Sequence, residues 1–303
     1  MPKKNTKQSH QSHFINSTFE RVKWGFNLST TFDEQVVAFQ TTCNQPRNDL
    51  ILVNHYSESS AEKNLLVNEG DHPTTYGGFN LGLHVGDNTC HVMKNRDLLT
   101  KYLYQEVNNY RQPTDSALQN ISIQWLEQVH GNNVVTILKT DTKPITADAS
   151  ITREKNIALA IMTADCLPVL LAHKNGLEIA AIHGGWRPLA ANIITKTLEK
   201  MQSDPSDIQA WLGPCIGKTA FEVGSEVKDI FLKQNHNFES CFVPQANAKY
   251  LADLHAIAEI QLNSLGVTNI SRLDECTYQN TNKYYSYRKN NTTGRMASVI
   301  CRR

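Results

Sequence analysis

Apolar residues along this chain fall into short blocks of two kinds. Blocks of four to six bounded by polar or turn residues predict strands. They lie in a strand region over 31–42 centred on Val36-Val-Ala-Phe39, at Ile121–Leu126, Val134–Leu138, Ile157–Met162, Pro168–Ala172, Leu177–Ile182 and Gln209–Leu212, and near the end at Tyr284–Tyr287 and Met296–Ile300. Helical spacing appears over Val92–Asn109, with Leu98, Leu99, Tyr102, Leu103 and Val107 on one face, and over Pro188–Met201, Ser225–Lys233 and Asp253–Leu265. Pro188 suits a first helical turn, where its missing N–H costs nothing. Asp253 is a natural cap and Gly266 a natural stop. The elements mix without strict βαβ alternation. They predict one α/β domain of mixed sheets over 19–303. Residues 1–18 read as a flexible polar tail. A polar insert from Cys43 to about Pro73 holds only Leu50-Ile-Leu-Val53 and Leu65-Leu-Val67 as apolar runs, and reads as a surface excursion that tunes access to the site.

Charge and cysteine usage narrow the setting. Lys plus Arg number 30 and Asp plus Glu 29, a net charge of +1, which argues against nucleic acid as the main partner. No apolar run reaches the ~18 residues of a membrane span, and the basic start has no apolar stretch behind it to make a signal peptide. Seven cysteines, with no C-x-x-C pair, read as reduced thiols of a cytoplasmic protein rather than a disulfide framework.

Three reactive side chains, His130, Cys166 and His183, each sit where an apolar strand gives way to a loop. Two imidazoles and a thiolate can bind zinc and leave a fourth position open, the composition of a catalytic site. The same residues could instead serve as a cysteine nucleophile with a histidine base, and the residues alone leave both open. The turn Gly184-Gly185 before a helix permits close backbone approach and offers free N–H groups to an anion. Other motifs fail. Gly213-Pro-Cys-Ile-Gly217-Lys-Thr219 has three residues between its glycines where a phosphate loop needs four. H-E-x-x-H, the H-x-E…P-C-x-x-C pattern of zinc deaminases and any His-x-His pair are absent.

Taken together, Asn80-Leu-Gly-Leu-His-Val-Gly-Asp87, Asn95-Arg96, Trp125-Leu-Glu-Gln-Val-His-Gly131, Ala147-Asp-Ala149, Met162-Thr-Ala-Asp-Cys-Leu-Pro168, Ala181-Ile-His-Gly-Gly-Trp-Arg187, Trp211-Leu-Gly-Pro-Cys-Ile-Gly217, Phe221-Glu-Val223, Ser286-Tyr-Arg288 and Thr292-Thr-Gly-Arg-Met-Ala297 resemble the YfiH-like family. That family is also called laccase-domain or multicopper polyphenol oxidase proteins. The resemblance implies two packed mixed β-sheets flanked by helices. It implies that His130, Cys166 and His183 bind a catalytic metal, zinc with copper as the alternative. It also implies phosphorolysis of adenosine, inosine or methylthioadenosine and deamination of adenosine, so that the partners are a purine nucleoside and phosphate. Asn80, Arg96, Gln128, Gly184, Gly185 and Arg288 are the candidate substrate-binding residues. Two alternatives follow from the same resemblance: a peptidoglycan-editing amide hydrolase that removes L-Ser from a muramyl precursor, and a copper-dependent polyphenol oxidase. A binding protein without turnover is a third. The family's T-R-x-G-G-V-S segment is missing. Thr41-Thr42-Cys43-Asn44 stands at its start, with Arg47 as a candidate substitute for the arginine.

Overall fold

The strands expected at Ile157–Met162 and Pro168–Ala172 are near-continuous apolar runs, the signature of strands covered on both faces. A computed structural model of the chain, describing residues 18–25, 32–46, 75–109 and 120–303, shows what covers them. One mixed sheet orders its strands Phe19–Arg21, Val36–Thr41, Met296–Arg302, Ile157–Thr163 and Ser122–Gln124. A second mixed sheet runs Asn269–Arg272, Ile208–Leu212, Leu167–His173, Ile179–Gly184, Ala149–Thr152 and Val134–Thr136. In the first, Leu159, Ile161 and Ile300 face Leu170, Ala172, Ile179 and Ala181 of the second across one apolar layer. Their alternating neighbours Ala158, Ala160, Met162 and Val299 pack on Leu99, Leu103 and Val107 of the helix Thr89–Asn108. On the outer face of the second sheet, Val169, Leu171, Ala180 and Ile182 meet the helices Ile193–Lys200 and Leu254–Ser264. The layering is helix, sheet, sheet, helix, the α/β class with two packed mixed sheets that the sequence implies.

Most expected elements are present, and three differ. The helix expected over 188–201 is two, Trp186–Ala190 and Ile193–Lys200, separated by Asn192 at φ 59°. Asparagine tolerates that left-handed conformation, so the apolar periodicity runs through a break it does not reveal. Tyr284–Tyr287 is not a strand: Tyr284 N–H donates to Asn280 O at 2.9 Å within a run of turns. The helix expected from Asp253 behaves as read, with the Asp253 carboxylate accepting from Ala256 N–H at 3.0 Å and Gly266 at φ 88° beyond its end. At the N-terminal end of the strand region, Phe32–Gln35 forms one short helical turn before Val36–Thr41. The expected tail, except Thr18, and the insert beyond Pro46 lie outside the described residues, as does Arg47. The stem of the insert is described: Cys43 O accepts from Gly78 N–H at 3.1 Å and Phe79 N–H at 3.2 Å. No helix among the described residues is long and apolar enough to cross a membrane.

Candidate metal centre and its cleft

Chain topology brings three distant segments to one place. Thr163 ends a strand of the first sheet and Leu167 begins one of the second, so the loop carrying Cys166 is the crossover between sheets. His183 lies on Ile179–Gly184, in register with Pro168, and Gly184 pairs with Leu167. A Cβ at Gly184 would stand 2.8 Å from Leu167 O, so glycine permits this strand to approach the Cys166 crossover. His130 follows the short strand Leu126–Glu127 and adopts φ 58°.

One carboxylate holds the arrangement. Asp148 is fully buried, and its oxygens accept from His130 N–H at 3.0 Å, Gly131 N–H at 2.6 Å and the His183 Nδ1 at 2.8 Å. Its own carbonyl accepts from His183 N–H at 2.8 Å. With Nδ1 committed to Asp148, His183 presents Nε2. The donor atoms of His130, Cys166 and His183 lie within 4.8 Å of one another, and among the described residues they are the single such group of His, Cys and acidic side chains. His130 Nε2 stands 3.8 Å from Cys166 Sγ. Ligands about 2.0–2.3 Å from one tetrahedral ion stand roughly 3.3–3.8 Å apart, so the spacing suits a shared metal. Gly185 keeps the space among them open. A Cβ there would sit 3.1 Å from Cys166 Sγ and 3.5 Å from both His130 Cδ2 and His183 Nε2. The carboxylate–histidine pair is the usual support of a metal-bound imidazole. These residues therefore fit a metal ion.

The same contacts set the charges of the metal-free site. Burial opposes a charge on Cys166, but the charge of His183 and hydrogen bonds from His130 and His183 outweigh it and bring the thiol down to about 6. Burial likewise opposes charge on His183, while the Cys166 thiolate and Asp148 push it up to about 9. Asp148, despite the opposing effect of burial, is held below the ordinary carboxylate range by His183 and by the N–H groups of Gly131 and His130.

The cluster lies in a cleft of about 1080 Å³. Of the candidate substrate residues, Arg96, Gln128 and Arg288 line it with the trio, and Gly185 borders the donor atoms. Gln128 is tied to the first sheet, its amide exchanging two 2.8 Å hydrogen bonds with the Met162 backbone. Asn80 is fully buried and does not line the cleft; its side chain accepts from Gly82 N–H at 2.9 Å and Arg295 N–H at 2.8 Å. Gly184 is buried in its strand. Several site residues escaped the sequence reading: Asp148, Asp165, His84, Thr163, Arg187 and Arg295. Asp165 sits at φ 101°, accepts from Thr277 Oγ1 at 2.7 Å and Arg288 N–H at 2.6 Å, and so fixes the turn leading into Cys166. Its place in Thr-Ala-Asp-Cys was the available signal. Among the described residues none of the cleft arginines, Arg96, Arg187, Arg288 and Arg295, forms a salt bridge.

Known proteins share this fold and family. A protein of Escherichia coli (strain K12) named purine nucleoside phosphorylase YfiH is 41% identical over 225 residues, covering 74% of this chain and 86% of its own length. A purine nucleoside phosphorylase of Haemophilus influenzae is 40% identical over 227 residues, covering 74% of this chain and 87% of its own. Among solved structures, a Neisseria meningitidis protein matches with a TM-score of 0.74 at 31% identity, over 94% of this chain and 99% of that one. YlmD of Geobacillus stearothermophilus matches with a TM-score of 0.70 at 26% identity, over 94% and 99%. The sequence profile described as multi-copper polyphenol oxidoreductase laccase matches residues 67–303, and the chain belongs to that family.

Proposed function

We propose that this chain is a zinc-dependent purine nucleoside phosphorylase. The observation that carries the reading is a two-histidine, one-cysteine donor cluster opening into a cleft lined by arginines that form no salt bridge among the described residues. A nucleoside and a phosphate need such a combination: room, apolar and aromatic wall for the base, and uncompensated positive charge for the anion. Trp186, Phe221 and Tyr287 supply the wall. Relatives at about 40% identity that carry the name purine nucleoside phosphorylase support the reading. His130, Cys166 and His183 would hold the ion, with Asp148 orienting His183. Thiolate with imidazole suits zinc, and copper is the competing metal. When bound, the ion supplies a Lewis acid beside the reacting sugar. Around it Arg288, whose guanidinium lies 5.4 Å from the Phe221 ring centre, and Gly185 hold the substrate. In phosphorolysis a phosphate oxygen bonds to C1′ while the C1′–N bond breaks, and the base leaves with the bonding pair and takes a proton. Inosine, adenosine and methylthioadenosine are the proposed substrates, with adenosine deamination as a further activity. The test is phosphate-dependent conversion of inosine to hypoxanthine, and conversion of adenosine to inosine, by zinc-loaded protein. Absence of both refutes the reading.

A second reading is favoured by one observation. Cys166, lowered to about 6, stands beside a His183 that Asp148 orients, the order of a cysteine nucleophile, its base and an orienting carboxylate. That arrangement suits an amide hydrolase, and release of serine from a muramyl-serine precursor is the substrate to try. Activity that survives strong chelation but not thiol alkylation selects the nucleophile over the metal.

A further inference from the structure

Two guanidiniums and an imidazole from three parts of the chain share one wall of the cleft. His84 comes from the Asn80–Asp87 loop, Arg96 from the helix Thr89–Asn108, and Arg295 from the turn before the strand Met296–Arg302. Buried Asn80 ties their supports together. Its carbonyl oxygens, side chain and main chain, accept from Gly82 and Arg295 N–H and from the Asn95 side chain, while its amide nitrogen reaches Asp87 at 2.9 Å. Arg96 Nε donates to Leu81 O at 2.9 Å, and its guanidinium lies 4.0 Å over the Trp125 ring. Arg295 uses Nη1 on Thr293 O at 3.1 Å and Gly294 O at 2.9 Å. Each guanidinium therefore keeps an edge without a protein partner among the described residues: Nη1 of Arg96 and Nη2 of Arg295.

The two guanidinium charges are partly buried and meet no carboxylate in a salt bridge among the described residues. Burial alone lowers Arg96 to about 10, with no carboxylate to raise it again. His84 is lowered by burial and then by the neighbouring charges of Arg295 and Arg96, so the three groups feel one another. A fourth group completes the wall. Thr163 is 2% exposed, lines the cleft, and its Oγ1 has no hydrogen-bond partner among the described residues. It stands three residues before Cys166. Two guanidinium forks, an imidazole and a hydroxyl are what a tetrahedral oxyanion accepts from.

We infer that His84, Arg96, Arg295 and the Thr163 hydroxyl form the subsite for inorganic phosphate, the co-substrate. The inference rests on the phosphorolysis proposed above and names the residues that hold its nucleophile. Phosphate seated there lies on the same strand end as the metal ligand Cys166. Its oxygen replaces the base nitrogen at C1′, and the proton of hydrogen phosphate ends on the departing base, so that free base and ribose 1-phosphate are the products.

The test uses full-length, zinc-loaded protein with inosine, varying phosphate, in wild type, Arg295→Gln and Thr163→Val. Phosphate binding is measured separately by calorimetry without nucleoside. Thr163→Val preserves volume, so a result stands even where the arginine variant folds poorly. Loss of a charge-assisted hydrogen bond predicts a KM for phosphate raised about 10- to 100-fold, with the KM for inosine unchanged within about two-fold. Unchanged phosphate KM in both variants, beside normal wild-type phosphorolysis, overturns the subsite and leaves the activity standing. Phosphate bound by wild type and lost in Arg295→Gln, without any inosine cleavage, supports the subsite and removes the activity. Inosine 5′-monophosphate displacing phosphate while inosine is rejected would assign the cations to a phosphate ester, and overturns the proposal.

Discussion

Asp148→Asn separates the orientation of the metal site from its ligands. The substitution keeps volume and shape, so no cavity forms. It replaces one carboxylate oxygen by an NH2 group. At present Oδ1 meets His183 Nδ1 at 2.8 Å and His130 N–H at 3.0 Å, while Oδ2 meets Gly131 N–H at 2.6 Å and Val129 N–H at 3.3 Å. Whichever way the amide turns, its NH2 faces groups that were donors. If it faces the loop, Gly131 loses its acceptor. If it faces His183, the imidazole loses the partner that fixes its tautomer. A buried donor left unsatisfied costs about 1–3 kcal/mol, so a loss of roughly 2–4 kcal/mol and a Tm lower by several degrees are expected. Removing the outer partner of a ligating histidine weakens metal binding by about 10- to 100-fold, or roughly 1.4–2.8 kcal/mol. Competition against a chromophoric chelator reads the affinity, and calorimetric unfolding of the metal-free chain reads the stability. An unchanged metal dissociation constant, with or without a lower Tm, refutes the orienting role of Asp148.

Three further outcomes follow from the same geometry. In metal-free protein the iodoacetamide reaction of Cys166 should reach half its maximal rate near pH 6 rather than near the ~8.5 of a free thiol, and a midpoint above 8 contradicts the thiolate–imidazolium pair. The signs oppose each other: the stability from the Cys166 thiolate is lost as pH falls towards about 6 and that from the His183 imidazolium as pH rises towards about 9, so the stabilisation from the ion pair is confined to the range between them. Gly185→Ala places a methyl 3.1 Å from Cys166 Sγ at a backbone conformation, φ −61° and ψ 160°, that alanine adopts freely. Metal content should fall sharply while Tm changes little; retention of full metal would show that the donors do not enclose an ion beside Gly185.

The sheet strands were legible because burial on both faces leaves long apolar runs with little polar interruption, as in Ile157–Thr163 and Leu167–His173. His130, Cys166 and His183 were picked out by residue type and by the family resemblance rather than by the runs alone, since His183 lies within its strand and His130 follows one of only two residues. What failed was local in one case and distant in the other. Tyr284–Tyr287 carries the aromatic residues of a strand, but the chain there runs through turns, with Tyr284 N–H donating to Asn280 O, which its composition does not reveal. Asp148 stands between two alanines and Arg295 in a turn, and neither carries a neighbouring residue that predicts its partner. Their roles arise from contacts across 35 positions in sequence to His183 and 215 to Asn80, which no local pattern encodes. Asn80 shows the reverse: a polar residue in a recognisable motif whose side chain the fold spends on holding the chain rather than facing the cleft.

The most direct measurement of the central claim is the metal content of protein purified without chelator, wild type beside His130→Ala, Cys166→Ala and His183→Ala, by elemental analysis. The account predicts about one zinc per wild-type chain and a large loss in each variant, with circular dichroism unchanged because the two packed sheets form their core without these side chains. Full occupancy in all three folded variants would contradict it.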